Sequence, residues 1–120
     1  MRIFAVTSGT SIEKVIEHSD QPVFPVIEKG SHQYRGFISY EEVKKYSART
    51  DVSTCGELLK RTDPSGLTRG IYADPHDSPA QALRKIADHE LTFLPVVDHQ
   101  GVYTGTVDLK ALSELLESER

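Results

Sequence analysis

The sequence predicts an α+β fold of the α/β type, built from two successive β-α-β-β-α units. The first observation behind this prediction is a repeat: residues 94–107 are a near copy of residues 24–38. Both stretches read as an apolar residue, Pro, two β-branched residues, an acid, a polar turn with Gly, and Tyr-x-Gly. The second observation is that a strand-like and a helix-like pattern precede each copy and that another helix-like pattern follows it. A repeat at a fixed offset indicates one supersecondary unit used twice.

The two copies stay in register along most of their length. Pro25 and Pro95 are 70 residues apart, and Tyr34 and Tyr103 are 69 apart. Differences of this size are ordinary variation in loops and helix ends, so the match indicates a true repeat. Because the chain has 120 residues, the two units must share one domain-sized core, and neither half is expected to be stable alone.

The first repeat is predicted at residues 1–50. A strand at residues 2–6 is followed by a helix that Ser11 can cap and that ends near residue 18, because Pro22 prevents its continuation. A hairpin then follows, and from Ser39 the sequence becomes helical, with an apolar stripe one turn apart. The hairpin strands and the stripe are, in order, residues 23–28, residues 33–38, and Tyr40, Val43 and Tyr46.

Residues 51–68 are predicted as a connecting segment with a short helix that begins at Cys55 and is capped by Ser53 or Thr54. The second repeat, residues 69–120, is predicted to open on a strand at residues 67–73 that overlaps the end of the connection. A capping Ser followed by Pro then starts a helix that runs to about residue 89. The remaining elements are two strands and a leucine-lined helix, at residues 92–97, residues 102–107, and Leu109, Leu112, Leu115 and Leu116.

Composition excludes several classes of function. The formal net charge is -4, with basic residues scattered among carboxylates, so a nucleic-acid partner is not expected. No apolar run approaches the roughly 20 residues that span a bilayer, so direct membrane insertion is not expected either. The single Cys55 excludes an internal disulfide and fits a reducing compartment.

The doubled pattern Pro-Val-(Val/Ile)-acid, Gly-turn and Tyr-x-Gly, completed in the first copy by Gly-x-x-Ser, resembles the cystathionine-β-synthase (CBS) domain, and the pair resembles a Bateman module. The resemblance covers the chain from Arg2 to about Leu116. It implies two repeats packed through their sheets with pseudo-twofold symmetry, and a homodimer. It also implies an adenine nucleotide ligand, such as AMP, ADP or ATP, and a regulatory role toward an attached or partner chloride channel, transporter or enzyme. A lead-in like the one at Cys55 does not precede Arg2, which suggests that the chain belongs to a longer protein.

Carried over onto this sequence, the resemblance places the ligand at the first repeat. Ser39 stands where the family has a hydroxyl, and Glu42 stands where it has the acid that accepts bonds from both ribose hydroxyls. Apolar walls for a base are expected from the opening strand and from the start of the hairpin. These wall residues are Ile3, Phe4, Val6, Val23 and Phe24.

The second repeat departs from the family pattern. It has Asp108 at the hydroxyl position and Ala111 at the acid position, and Ala cannot hold a ribose. The second cleft is therefore expected to be empty, to take another ligand or to be structural. The polar residues expected nearest to it are Tyr72, Asp74, Asp108 and Lys110.

Structural roles compete with these functional ones. Ser39 also suits a helix cap, and Glu42 suits a solvated acid in the first helical turn. No constellation of nucleophile and base stands out, and a turn with a helix cap accounts for the cluster of possible metal ligands at residues 74–77. We therefore expect no catalytic residue, no metal and no cofactor.

The sequence thus predicts an allosteric, ligand-sensing regulatory module that is not an enzyme. It is expected in the cytoplasm, by itself or as the cytosolic domain of a membrane protein. The alternative is a ligand-free structural dimerisation module.

Overall fold

A computed structural model describes residues 3–18, 21–49 and 51–118 of the chain. Two compact units are present, Met1–Gly70 and Ile71–Arg120. The first contains β1 (Val6–Thr7), α1 (Ile12–His18), β2 (Val23–Ile27), β3 (Tyr34–Ser39), α2 (Tyr40–Tyr46), α3 (Cys55–Thr62) and a 3₁₀ turn (Thr68–Gly70). The second contains α4 (Pro79–Asp88), β4 (Phe93–Val97), β5 (Tyr103–Asp108) and α5 (Leu109–Ser118). The predicted α+β fold class is confirmed.

The strand arrangements of the two units correspond, although the second has a single bridge where the first has β1. In the first, β2 lies between β1, which is parallel to it, and β3, which is antiparallel. In the second, β4 pairs antiparallel with β5, and Ala73 forms a single parallel bridge with Val96. Val96 is the counterpart of Val26, with which β1 pairs in the first unit. The sequence repeat is therefore also a repeat of topology.

Pro25 lies in the central strand of the first sheet without interrupting the ladder. It faces Phe37 across the hairpin, and the Phe37 amide donates to Thr68 Oγ1 at 3.2 Å instead of to β2. Because β1 pairs only with Val26 and Ile27, nothing in the ladder requires an N–H from Pro25.

The connecting helix α3 is part of the first unit's core. Cys55 and Leu58 are fully buried and Leu59 is 8% exposed, in one cluster with α1, β2, β3 and α2. As predicted, Thr54 is the N-cap, and its side chain accepts from the Glu57 amide at 3.2 Å. Two further amides of the first turn donate to carbonyls of the β1–α1 loop, at 2.8 Å each, which fixes where the helix begins.

The predicted strand at residues 67–73 is wrong. Thr68–Gly70 form a 3₁₀ turn, and only Ala73 makes a bridge. The cause is the Asp63 side chain, which accepts from the amides of Leu67 and Thr68 at 2.9 and 2.8 Å and from the Thr68 hydroxyl at 2.6 Å. These bonds turn the chain back after α3, so the apolar residues there cannot extend.

The predicted first strand, residues 2–6, is also wrong in its extent. The strand is Val6–Thr7, and residues 1 and 2 lie outside the described part of the chain. The predicted division into residues 1–50, 51–68 and 69–120 stays a prediction, as does the packing of the repeats through their sheets.

The burial of α3 predicts a large cost for truncating its apolar face. Leu58→Ala should lower the free energy of unfolding by about 2–5 kcal/mol, because it leaves a cavity in a closed core. Leu67→Ala is the matched control, since Leu67 is 69% exposed, and it should change stability by less than about 0.5 kcal/mol. Urea denaturation followed by circular dichroism measures both, and equal losses would contradict the placement of α3.

Candidate functional site

An apolar pocket of about 230 Å³ opens on the first unit between the start of the chain and α1. Three of the predicted wall residues line it, namely Phe4, Val6 and Phe24. Phe4 is 56% exposed, whereas Phe24 is 1% exposed at the floor. The other lining residues are Thr10, Lys14, Val15 and Gln21. The pocket thus combines two aromatic rings with one cation.

Gln21 holds this pocket together, and sequence reasoning missed it. Its side chain is 2% exposed and forms three hydrogen bonds with backbone groups. Oε1 accepts from the Phe4 amide at 3.1 Å, while Nε2 donates to the carbonyls of Phe4 and Val23 at 2.7 Å each. The side-chain amide therefore replaces the ladder that residues 3–5 would otherwise need. A single Gln immediately before Pro22 gave no sequence signal for this role.

Ser39 and Glu42 form a reciprocal capping box at the start of α2. The Glu42 amide donates to Ser39 Oγ at 3.0 Å, and the Ser39 amide donates to Glu42 Oε1 at 2.8 Å. This is the capping role that the sequence left open for Ser39, and Glu42 takes part in the same cap. One carboxylate oxygen of Glu42, Oε2, is free of any such bond to the described residues.

The capping box lies at the same end of the sheet as the apolar pocket. Ser39 pairs with Val23 across the hairpin, next to Phe24 at the pocket floor. The first amide of α2, from Tyr40, donates to the Pro22 carbonyl at 3.0 Å. Of the other predicted walls, Val23 is 2% exposed and does not line the pocket, nor does Ile3.

The second-cleft residues are engaged in local structure. Asp108 Oδ1 accepts from the Ala111 amide at 2.7 Å, so it caps α5 in the way that Ser39 caps α2. Asp74 Oδ1 accepts from the His76 amide at 2.8 Å, which forms a turn before α4. Tyr72 is 39% exposed and Lys110 lies on the exposed surface. The two carboxylates are thus each committed to a local turn or helix cap.

A tight ion pair stabilises the loop that leads into α4. Lys85 Nζ donates to Asp77 Oδ2 at 2.6 Å, and the Asp74 amide donates to the same oxygen at 3.0 Å. The bond from Lys85 holds the pKa of the Asp77 carboxyl below its usual value, against a smaller opposing effect of burial. As predicted, Ser78 caps the helix and Pro79 occupies its first turn.

A larger cavity of about 560 Å³ lies beside α3, and sequence reasoning did not predict it. Its volume falls in the range of ligand sites. Three basic and three acidic side chains line it and balance each other: Arg35, Lys60 and Arg69 against Glu28, Glu57 and Asp63. The Arg35–Glu28 pair is closed at 3.2 Å, and Asp63 is committed to the turn after α3. The cavity therefore has no net charge to attract a phosphate.

The thiol of Cys55 is unsuited to nucleophilic chemistry. It is fully buried, and burial raises its pKa to about 11, so the reactive thiolate is not populated near neutral pH. No helix among the described residues has the length and apolar character to cross a bilayer.

Comparison with known proteins identifies the family. The family model described as the CBS domain matches residues 56–118, which is more than half of the chain. The chain belongs to the CBS domain family. The CBS match begins inside α3, so the sequence of the second repeat starts with a helix that packs in the first unit.

Solved structures with the same fold share low sequence identity with this chain. CBSX2 in complex with AMP is 19% identical at a TM-score of 0.74, covering 97% of this chain and 89% of that one. The cytosolic domain of the Mg²⁺ channel MgtE in complex with ATP is 18% identical at a TM-score of 0.72, and the match covers 94% of this chain and 44% of that one. Staphylococcus aureus OpuCA is 14% identical at a TM-score of 0.70, and the match covers 100% of this chain and 96% of that one. No curated protein sequence gives a significant match.

The clamp formed by Gln21 predicts a stability loss on its removal. Gln21→Leu fills similar space but removes three buried or part-buried hydrogen bonds to backbone groups, so unfolding free energy should fall by about 1–3 kcal/mol. Lys44→Leu is the control for introducing a leucine, because Lys44 lies exposed on α2. Thermal unfolding measures both variants, and an unchanged melting temperature for Gln21→Leu would contradict the clamp.

The Asp77–Lys85 pair predicts a pH-dependent contribution to stability. Because the folded pKa of Asp77 is lowered, the pair stabilises the protein above the unfolded Asp pKa of about 3.9 and is lost as pH falls through the folded pKa. Lys85→Met should therefore cost about 0.5–1 kcal/mol at pH 7, and this difference should shrink toward pH 3. Lys110→Met is the control for loss of an exposed lysine. A pH-independent gap in urea denaturation would contradict the assignment.

Proposed function

We propose that the chain is a regulatory module that binds an adenosine-containing ligand, such as AMP, ADP or ATP, at its first repeat. The observation that carries this proposal is the apolar pocket with Phe4 and Phe24, next to the capping box of Ser39 and Glu42. Membership of the CBS family supports it, as does the fold shared with proteins solved with AMP and with ATP. In this proposal the module controls an attached or partner channel, transporter or enzyme from the cytoplasm.

Each part of the nucleotide has a candidate partner in the first repeat. The adenine ring stacks or packs against the apolar walls Phe4, Val6 and Phe24. A ribose hydroxyl donates to the free Oε2 oxygen of Glu42, while Oε1 continues to accept from the Ser39 amide. Lys14, which lines the same pocket, supplies a cation for a phosphate. Ile3 and Val23 belong to the surrounding support.

The second repeat is proposed to bind no nucleotide. Its acid position holds Ala111, and its hydroxyl position holds Asp108, whose carboxylate already caps α5 and would repel a phosphate. Tyr72, Asp74 and Lys110 remain candidates only for a different ligand.

Regulation would follow from a shift in conformational population. A ligand that prefers one conformation of the module increases the fraction of that conformation, and the controlled protein responds to the change. We propose that the responding form is a homodimer.

A ligand-free structural dimerisation module is the second candidate. Two observations favour it: the apolar pocket, at about 230 Å³, is smaller than the roughly 300–1,000 Å³ of most ligand sites, and Ser39 and Glu42 already satisfy each other. Under this hypothesis the geometry that the two repeats share serves the fold alone.

Replacing Glu42 by Gln separates the two candidates. Gln retains the capping box, because its amide oxygen can accept from the Ser39 amide, but it lacks the ionised carboxylate that holds the ribose. Calorimetric titration with AMP, ADP and ATP should show binding to the natural protein and at least a ten-fold weaker affinity for Glu42→Gln.

Glu41→Gln is the matched control, since it makes the same change of charge at an exposed neighbour on the same helical turn. It should leave affinity within about two-fold, and all three proteins should melt at similar temperatures. Absence of binding for all three nucleotides at millimolar concentration would favour the structural module.

A further inference from the structure

The larger cavity beside α3 has lining residues of its own. It extends from Ser8 in the β1–α1 loop to Gly66 in the turn after α3, with a volume of about 560 Å³. All of the residues that line it belong to the first unit, and among the described residues none also lines the apolar pocket around Phe4. The cavity is therefore distinct from the pocket proposed to bind a nucleotide.

Hydrogen bonds within the first unit hold both ends of the cavity in place. At one end, the Gly56 amide donates to the Ser8 carbonyl at 2.8 Å and fixes the start of α3 against the loop. A Cβ built on Gly56 would lie 2.9 Å from the same carbonyl oxygen, so this close approach requires glycine. At the other end, the Asp63 carboxylate accepts from the amides of Leu67 and Thr68 at 2.9 and 2.8 Å. Walls held in this way need little reorganisation to bind a small molecule.

Three of the six charged side chains at the cavity are already bonded within the protein. Arg35 Nε donates to Glu28 Oε1 at 3.2 Å, so these two charges neutralise each other. The third is Asp63, because both of its carboxylate oxygens accept hydrogen bonds in the turn after α3. These three side chains therefore build the wall of the cavity.

The other three charged side chains, Glu57, Lys60 and Arg69, are available to a small molecule. Lys60 and Arg69 make no ion pair or side-chain hydrogen bond with the described part of the chain, and Glu57 accepts only from Ser53, at 3.3 and 3.5 Å. Glu57 and Lys60 are three residues apart on α3, so they share one face of the helix. The available charges are thus one carboxylate and two cations in a single cavity.

Two aliphatic side chains of the core also line the cavity. Val26 is fully buried and Leu59 is 8% exposed, so they form an apolar floor beneath the exposed charges. A matching ligand carries an anionic and a cationic group on a short apolar body. A polyphosphate does not match, because the six formal charges of the lining cancel.

We propose that this cavity binds a free α-amino acid with an aliphatic side chain, in its zwitterionic form. The carboxylate of the ligand accepts from Lys60 and Arg69, and its ammonium group donates to Glu57. The aliphatic side chain of the ligand packs against Val26 and Leu59, which removes apolar surface from water.

L-Leucine is the direct probe, and two analogues each lack one of its charges. Isocaproate has no ammonium group, and isoamylamine has no carboxylate. Titrated into the ¹⁵N-labelled chain, L-leucine should shift the amide resonances of Ser8, Gly56 and Leu59 saturably, and each analogue should bind at least ten-fold more weakly. No saturable shift with millimolar L-leucine, or equal affinity for L-leucine and isocaproate, would overturn the proposal.

Lys60→Met removes one partner of the carboxylate. Because Lys60 is exposed and unpaired toward the described residues, the variant should melt as the natural protein does but bind L-leucine at least ten-fold more weakly. Lys44→Met is the matched control, since Lys44 is an exposed lysine on α2 that does not line the cavity. It should retain the natural affinity, and equal affinity of the two variants would contradict the role of Lys60.

Glu57→Gln tests the partner of the ammonium group. Gln can still accept from Ser53 but carries no charge, so affinity for L-leucine should fall at least ten-fold while the weaker binding of isocaproate stays unchanged. Glu41→Gln, at an exposed position on α2, should leave both affinities as they are. An equal loss for L-leucine and isocaproate in Glu57→Gln would overturn the assigned role.

An excess of AMP separates this site from the nucleotide pocket. It should not displace L-leucine, because the two pockets have different lining residues. Displacement of L-leucine by AMP would assign the cavity to the nucleotide and overturn the proposal.

Discussion

The contact between α3 and β3 is the constraint on which the first unit depends. Leu58 and Leu59 close the core from one side, and Gly36 gives the helix and its turn room to reach the strand. The three bonds to Asp63 then fold the chain back after the helix, so that Thr68 can accept from the Phe37 amide. Each of these features requires the others, because a displaced helix would leave both the leucines and the strand edge exposed.

Because α3 packs in the first unit, the boundaries of the sequence repeat differ from those of the compact structural unit. The CBS match begins at Gly56, within a helix whose side chains complete the preceding unit. In the second unit a Cβ built on Gly105 would meet nothing within 4 Å among the described residues, in contrast to Gly36 in the first.

Much of the fold could be predicted from periodicity, capping residues and the internal repeat. The hairpins, the start of α4 at Ser78 and the helix at Cys55 were readable because local chemistry decides them. The strand at residues 67–73 was not, because its apolar residues are overruled by side-chain bonds from Asp63, four and five positions earlier.

The candidate site, like the fold, could be predicted only in part from the sequence. Its apolar walls at Phe4, Val6 and Phe24 followed from the resemblance and meet in one pocket. Gln21 could not be found, since a lone Gln before Pro carries no pattern, and its role appears only when the backbone it bonds is in place. Nor does sequence reveal that the two balanced sets of charges meet in the larger cavity.

The clamp made by Gln21 also sets how the pocket can open. A wall held by a strand ladder opens only when several backbone bonds break together, as one cooperative event. Here a single side chain makes two bonds to Phe4 and one to Val23, so that its rotation breaks three bonds at once. The position of the pocket wall at Phe4 is therefore coupled to the conformation of one side chain.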